Sequence, residues 1–193
     1  MKNKPFVFGV LIIVLIAGIS YIIADQTIED RVNTISSDHH VFTDYEELAE
    51  HADLIVEVTA TDESTQVIED KSGMGRGHTV TRVAINQVFA NSTQQELHVQ
   101  LDILEPTYVM RNKGLYTGVT RYSYGRYTPM HADQRYVLFL TWDEQRQGYW
   151  VRSLEQGKFN VDHRDTEEQA TRANNPQLQA LKTDVLQHLA YLD

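Results

Sequence analysis

The chain is 193 residues long, carries a formal charge of −10 from 17 basic and 27 acidic side chains, and contains no cysteine. A net-negative body lacks the basic field that generic DNA or RNA binding needs, and the absence of cysteine excludes disulfides, thiol nucleophiles, thiolate zinc sites and a lipidated cysteine. Setting aside an apolar N-terminal stretch leaves about 165 residues, one domain of ordinary size that must hold itself by packing.

That stretch, Phe6 to Ala24, reads FVFGVLIIVLIAGISYIIA without a charge, between Lys2 and Lys4 on one side and Asp25 on the other. As a helix it is roughly 29 Å long, against about 30 Å of bilayer hydrocarbon. Hydrocarbon offers no partner to backbone N–H and C=O groups, so the run is stable in lipid only as a helix. Lys2 and Lys4 predict a cytoplasmic N-terminus, which makes the protein a single-pass signal-anchor in the cell membrane with its domain extracytoplasmic. The competing reading is a secretory signal cut after Ser20 or Ala24, which releases the domain as a secreted protein; neither position has the small-x-small pattern of a strong site. Outside the membrane, 17 less Lys2 and Lys4 leaves 15 basic against 27 acidic residues, a charge of −12.

Residues 25–42 read as a polar juxtamembrane stalk, with Ile28, Val32 and Ile35 at a spacing that predicts continuation of the anchor helix. The pair His39 and His40 is not a metal site, because adjacent side chains diverge and no matching ligands lie nearby. Thr43 to Ala52 opens a helix: Thr43 is placed to accept from the Glu46 N–H while the Glu46 carboxylate reaches back, a capping box. Glu46, Glu47 and Glu50 are helix surface.

The period then changes from helical to alternating. Leu54, Val56 and Val58 share one face of a strand; His78 to Phe89 alternates through Thr81, Val83 and Ile85; Leu97, Val99, Leu101 and Ile103 alternate against the solvent-facing His98, Gln100 and Asp102. Arg135 to Trp142 is apolar on both faces and suits a central strand. Tyr149 to Leu154 and Lys158 to Val161 complete the set, with turns at Glu144 to Gly148 and Gln156-Gly157. Short strands behind one helix predict a mainly β, α+β fold, an antiparallel barrel or sandwich that closes to bury its apolar face.

The order helix, ADLIVEV, HTVTRVAINQVF, ELHVQL, RYVLFL and QGKFNV, with Tyr136, Phe139, Leu140, Gly157 and Phe159, resembles a group of uncharacterised extracytoplasmic bacterial domains. The resemblance covers Tyr45 to Val161 and implies a small OB-fold-like β-barrel behind a membrane anchor or signal. It implies no catalytic residue.

Asp165 to Asp193 returns to helical spacing. Thr166 and Gln169 predict a second capping box; Asn175 and Pro176 are an N-cap and a first helical residue. Leu178, Leu181, Val185, Leu189 and Leu192 form one apolar stripe, either docked on the barrel or facing another protein. The chain thus divides into an anchor (1–24), a stalk (25–42), a β-barrel domain (43–162) and a C-terminal helical segment (163–193).

Most motifs fail on context. Gly73, Gly75 and Gly77 lie between two strands, not at the strand-to-helix turn of a dinucleotide loop. No serine sits in a G-x-S-x-G elbow. Asn91-Ser92-Thr93 matches a glycosylation acceptor too short to carry weight. The eight histidines show no H-E-x-x-H spacing, so no catalytic residue, metal or cofactor is expected.

From Pro106 through Ala132 there is no acidic residue, while Tyr108, Tyr116, Tyr122, Tyr124 and Tyr127 supply half of the ten tyrosines among Arg111, Lys113, Arg121 and Arg126. The glycines here predict a long loop or loose hairpin. Tyrosine and arginine are enriched in contact surfaces, so Arg111, Tyr116, Arg121, Tyr122, Tyr124, Arg126 and Tyr127 are the candidate binding residues, for a protein partner, an anionic cell-envelope polymer or lipid head groups. The sequence expectation is a non-catalytic binding or accessory domain. The alternative is an envelope-acting hydrolase with His131, Asp133 and Glu105 converging at the barrel mouth, which requires hydrogen-bond reach to a substrate proton.

Overall fold

The computed structural model describes residues 12–21, 29–37, 39–69, 76–93, 95–112 and 118–191. Contacts divide the chain into two compact units, residues 1–33 with 109–122 and residues 34–108 with 123–193. Among the described residues the architecture is mainly β with four α-helices.

In the smaller unit, residues 12–21 form helix α1, exposed along its whole length. No helix among the described residues is long and apolar enough to cross a membrane; the rest of the predicted anchor, residues 6–11 and 22–24, lies outside them. The expected helical continuation past the anchor is corrected. Strand β1 occupies Glu29–Ile35, where the β-branched Val32, Thr34 and Ile35 favour extended backbone over helix. With β5 (Thr107–Arg111) and β6 (Val119–Tyr124) it makes a three-stranded sheet in the order β1–β6–β5. The β5–β6 connection is closed by Asn112 N–H donating to the Gly118 carbonyl (3.1 Å) and by the Thr120 hydroxyl donating to Asn112 Oδ1 (2.6 Å). The acid-free stretch is therefore a hairpin.

The larger unit is built on β2 (Leu54–Ile68), β3 (Gly77–Asn91), β4 (Gln100–Glu105), β7 (Arg135–Asp143), β8 (Gly148–Val151) and β9 (Lys158–Asn160). They hydrogen-bond in the order β2–β3–β4–β8–β7–β9, and β7 also pairs with β2. Five strands are thus each other's neighbours in a closed cycle, β2–β3–β4–β8–β7 and back to β2. All contacts in it are antiparallel except β4–β8, which is parallel at Ile103 with Tyr149 and Leu104 with Trp150.

Period-2 alternation divides the side chains of β2 and β7 between two cores. Leu54, Val56, Val58 and Ala60 of β2 and Tyr136, Leu138 and Leu140 of β7 join Val83, Ile103, Tyr149 and Val151 in one cluster. Ile55, Val137 and Phe139 face the other way, where Phe42, Leu48, Phe159, Leu181 and Val185 cover them. That second layer comes largely from α2 (Tyr45–Glu50) and α4 (Pro176–His188), so β7 is central and buried on both faces. Each buried Leu, Val or Phe stabilises the fold by about 1.5–3 kcal/mol relative to exposure.

Helix starts are where the sequence pattern is displaced. The cap of α2 is Asp44 rather than Thr43: Asp44 Oδ1 accepts from Glu47 N–H (2.9 Å), and Glu47 Oε2 accepts from Thr43 N–H (3.1 Å). A one-residue shift in the opposite direction occurs at α3 (Thr166–Ala173), capped by Asp165 through Glu168 N–H (2.8 Å). A carboxylate accepts hydrogen bonds more strongly than a hydroxyl, and in both cases an aspartate stands beside the threonine. At α4 Asn175 Oδ1 takes Gln177 N–H (3.1 Å) and Leu178 N–H (3.2 Å), with Pro176 in the first turn as expected. Leu178, Leu181 and Val185 are buried and Leu189 packs beside them; Leu192 lies outside the described residues. Val99 departs from its expected inward position: β4 begins only at Gln100, and Val99 is 81% exposed.

Candidate functional site

The tyrosine and arginine residues singled out in the sequence fall in both units. Arg111, Arg121 and Tyr122 belong to the smaller unit, and Tyr124, Arg126 and Tyr127 to the larger; Tyr116 lies outside the described residues. Arg111 and Arg126 are exposed, Tyr122 and Tyr124 are half-buried, and Arg121 and Tyr127 are buried. Tyr127 serves the interior, because its hydroxyl donates to Glu105 Oε2 at 2.7 Å.

Tyr124 does border a cleft in the larger unit. The cleft holds about 300 Å³ and is lined by Ser37, Glu69, Arg76, Gly77, His78, Pro106, Tyr124, Arg146, Trp150 and Leu154. Two turns supply most of its polar groups. The β2–β3 connection brings Glu69, Arg76 and Gly77; the β7–β8 turn brings Arg146. They meet where Arg146 donates to Glu69 Oε1 from Nη2 (2.6 Å) and from Nε (3.1 Å). Gly77 is required by close approach, since a Cβ there would lie 2.8 Å from both the Tyr108 ring and the Val67 carbonyl.

Arg146 is held on a second side by Asp143 Oδ2 (3.0 Å), and its guanidinium carbon lies 5.7 Å from the Trp150 ring centre. Trp150 Nε1–H donates to the same Asp143 oxygen (2.8 Å), while Asp143 Oδ1 accepts from the N–H groups of Gln145 (2.9 Å) and Arg146 (3.0 Å). The Trp150 hydrogen bond, followed by those from Arg146 and Gln145, holds the Asp143 carboxyl down at about 2. Glu69 is likewise lowered, first by Arg146. His78 packs edge-on against Trp150 with ring centres 5.2 Å apart, and burial lowers its pKa. The walls therefore present a neutral imidazole, two aromatic rings, the Arg76 guanidinium, and an Arg146 guanidinium whose charge is offset by Glu69 in the wall and by Asp143.

A larger groove of about 620 Å³ runs past Arg82, His98, Val99, Asp102, Trp142 and Tyr149. Its guanidinium is neutralised by Asp102 (3.0 Å) and Glu63 (3.1 Å), and its two rings pack on each other at 4.9 Å. It too is bordered by two connections, Gln95, Glu96, His98 and Val99 between β3 and β4 and Gln147 between β7 and β8.

His131, Asp133 and Glu105, the residues of the hydrolase alternative, have partners of their own. Glu105 is 1% exposed and accepts from the Thr81 hydroxyl, the Tyr127 hydroxyl and Met130 N–H; burial raises its pKa against those bonds. His131 Nε2 faces Asp165 (3.8 Å) and Glu167 (3.9 Å), and Asp133 is exposed in a left-handed turn with φ 60°. Beneath them runs a buried polar network that the sequence does not announce. Lys158 donates to Thr128 Oγ1 and Asp165 Oδ2, both at 3.2 Å, and lies 4.9 Å from the Tyr136 ring centre. Glu168 accepts from Arg172 Nε (2.8 Å), Lys182 Nζ (2.9 Å) and Asn160 N–H (2.8 Å). Burial raises Glu168, but Arg172, Lys158 and Lys182 outweigh it and hold the carboxyl at about 2. The network ties α3 and α4 to β9.

Among the described residues one set of three side chains has metal-binding character: donor atoms of Glu46, Asp184 and His188 all lie within 4.8 Å of one another. Sequence reading misses it because Glu46 is far from the other two along the chain. No family model matches this protein, and neither a curated protein nor a solved structure gives a match.

Proposed function

We propose that this protein is a non-catalytic binding domain of the OB type, held outside the cell by its N-terminal apolar stretch and using the Tyr124 cleft as its contact site. The observation that carries the reading is where the cleft lies on the strand cycle. Numbered along the chain, the first and second strands of the cycle are β2 and β3, and the fourth and fifth are β7 and β8. OB-type barrels bind extended polymers on the second and third strands and the loops joining strands one to two and four to five. Those two loops are the ones that meet through Arg146 and Glu69. The parallel pairing of the third and fifth strands, β4 with β8, supports the same reading.

An aromatic wall beside the exposed Arg76 favours a ligand with flat apolar faces and at least one anionic group, and the ligand class we assign is an anionic cell-envelope polymer. A protein partner is the other occupant such a surface accepts. The anchor part of the proposal rests on α1, where Ile12, Ile13, Val14, Leu15, Ile16 and Ile19 are each about half or more exposed. An uninterrupted apolar helix of that kind is stable only when lipid or another protein covers it.

Photo-crosslinking in intact cells tests the site, with the reactive group at Tyr124 and a control at Gln179 on the exposed face of α4. A discrete adduct is expected from Tyr124 and none from Gln179, and Arg146→Ala in the Tyr124 background should weaken it severalfold. Absence of an adduct at Tyr124, or equal adducts at both positions, removes the cleft from the proposal.

A further inference from the structure

We propose that Glu46, Asp184 and His188 form a site for a divalent transition-metal ion of the zinc type, bridging α2 and α4. Asp184 and His188 are four residues apart on α4, the spacing that puts two side chains on one helical face, and Glu46 reaches them from the first turn of α2. The set of one imidazole and two carboxylates suits zinc, with a coordination position left for water.

Two of the three ligands, Asp184 and His188, are already oriented by something else. Asp184 Oδ2 accepts from Tyr45 N–H at 2.7 Å, fixing that carboxylate against the start of α2. The Tyr45 ring stacks on the His188 ring, centres 4.7 Å apart and 8° from parallel. His188 Nδ1 lies 3.0 Å from the backbone carbonyl of Asp184. A carbonyl only accepts, so Nδ1 carries hydrogen and donates, the orienting bond that metal-binding histidines make through their second nitrogen.

This leaves Nε2 facing Glu46 Oε1 at 2.9 Å. In the neutral ring that nitrogen is a lone pair aimed at a carboxylate, two acceptors in contact. Only a positive charge between them relieves the conflict, either a proton on Nε2 or a metal ion.

The test is calorimetric titration of tag-free, full-length protein in detergent micelles with zinc at about pH 7.5. One equivalent is expected to bind. Glu46→Gln and His188→Gln should each weaken binding about tenfold or more, while His98→Gln leaves it unchanged. Zinc should raise the melting temperature of the parent protein and not of the two variants. Glu46 has a side chain 65% exposed, so its variant folds and decides the matter if His188→Gln does not. The proposal is overturned if the parent binds no zinc, if Glu46→Gln binds as the parent does, or if the loss follows His98 instead.

Discussion

At the scale of single residues, the most consequential side chains are charged ones in the interior. Glu168 is 3% exposed and meets Arg172 and Lys182, themselves 2% and 7% exposed. Removing one member of such a set leaves uncompensated charge in a low-dielectric place, which costs about 3–5 kcal/mol. Glu168→Gln should therefore shift the urea midpoint strongly downward. The variant also isolates a pH effect. Because the folded-state pKa of Glu168 is held at about 2, below the ordinary 4.5, its carboxylate stabilises the fold above the unfolded value. That contribution is lost as the pH falls from the ordinary carboxylate range toward 2. Glu105 acts with the opposite sign, since burial raises its pKa and the fold holds that proton to higher pH than the unfolded chain does. In acid titrations followed by circular dichroism, Glu168→Gln should lose less stability than the parent over the window from about pH 4.5 to about pH 2.

At the scale of elements, α4 is fastened by two independent devices. Leu181 is fully buried against Ile55, Phe139 and Phe159 in the outer cluster, and Asn175 caps the helix. Leu181→Ala should cost about 2–5 kcal/mol through lost contacts and a cavity, and Asn175→Ala about 1 kcal/mol. Urea unfolding of the two single variants checks the ranking; equal losses would mean the stripe is not the principal contact. Both features were legible in the sequence, the cap from Asn175-Pro176 and the stripe from leucines three and four residues apart. The strand Arg135 to Trp142 was legible for a similar reason, its two apolar faces matching a position between two layers. Strand β1 was not, because Ile28, Val32 and Ile35 fit a helical spacing while pairing with β6 decided otherwise. The cleft was legible only at Tyr124: His78, Arg146 and Trp150 read as ordinary strand and turn residues until the β2–β3 and β7–β8 turns meet. Lys158, Arg172 and Lys182 are cations whose burial no local sequence pattern announces, although the Glu168–Arg172 pair is only four residues apart.

At the scale of the whole molecule, the proposal of a tethered domain predicts a definite fractionation. In intact cells the full-length chain should pellet with membranes, and external protease should remove the folded domain while leaving a short N-terminal fragment. Recovery of a soluble form starting near Asp25 would show a cleaved signal instead, and protection of the domain from protease would place it on the cytoplasmic side. Cleft occupancy can be followed in the same preparation, because Trp150 in its wall is one of only two tryptophans. Titration with an anionic envelope polymer should change the fluorescence of the parent and not of Trp150→Phe. Loss of the signal in salt would identify it as a charge interaction.

The pairing of β2 with β7 also sets the order of events during synthesis. Leu54 waits for Leu140 and Thr59 for Arg135, so the cycle stays open until most of the chain has left the ribosome. Until then β2 has no partner along one edge, and contacts between such distant segments are slow to form. An unpaired strand edge invites pairing with other chains. A nascent chain arrested before Arg135 should thus remain protease-sensitive and prone to association, and one extended past Asn160 should become resistant in a single cooperative step. If export precedes that step, the polypeptide crosses the membrane while still unfolded, and maturation takes place on the far side.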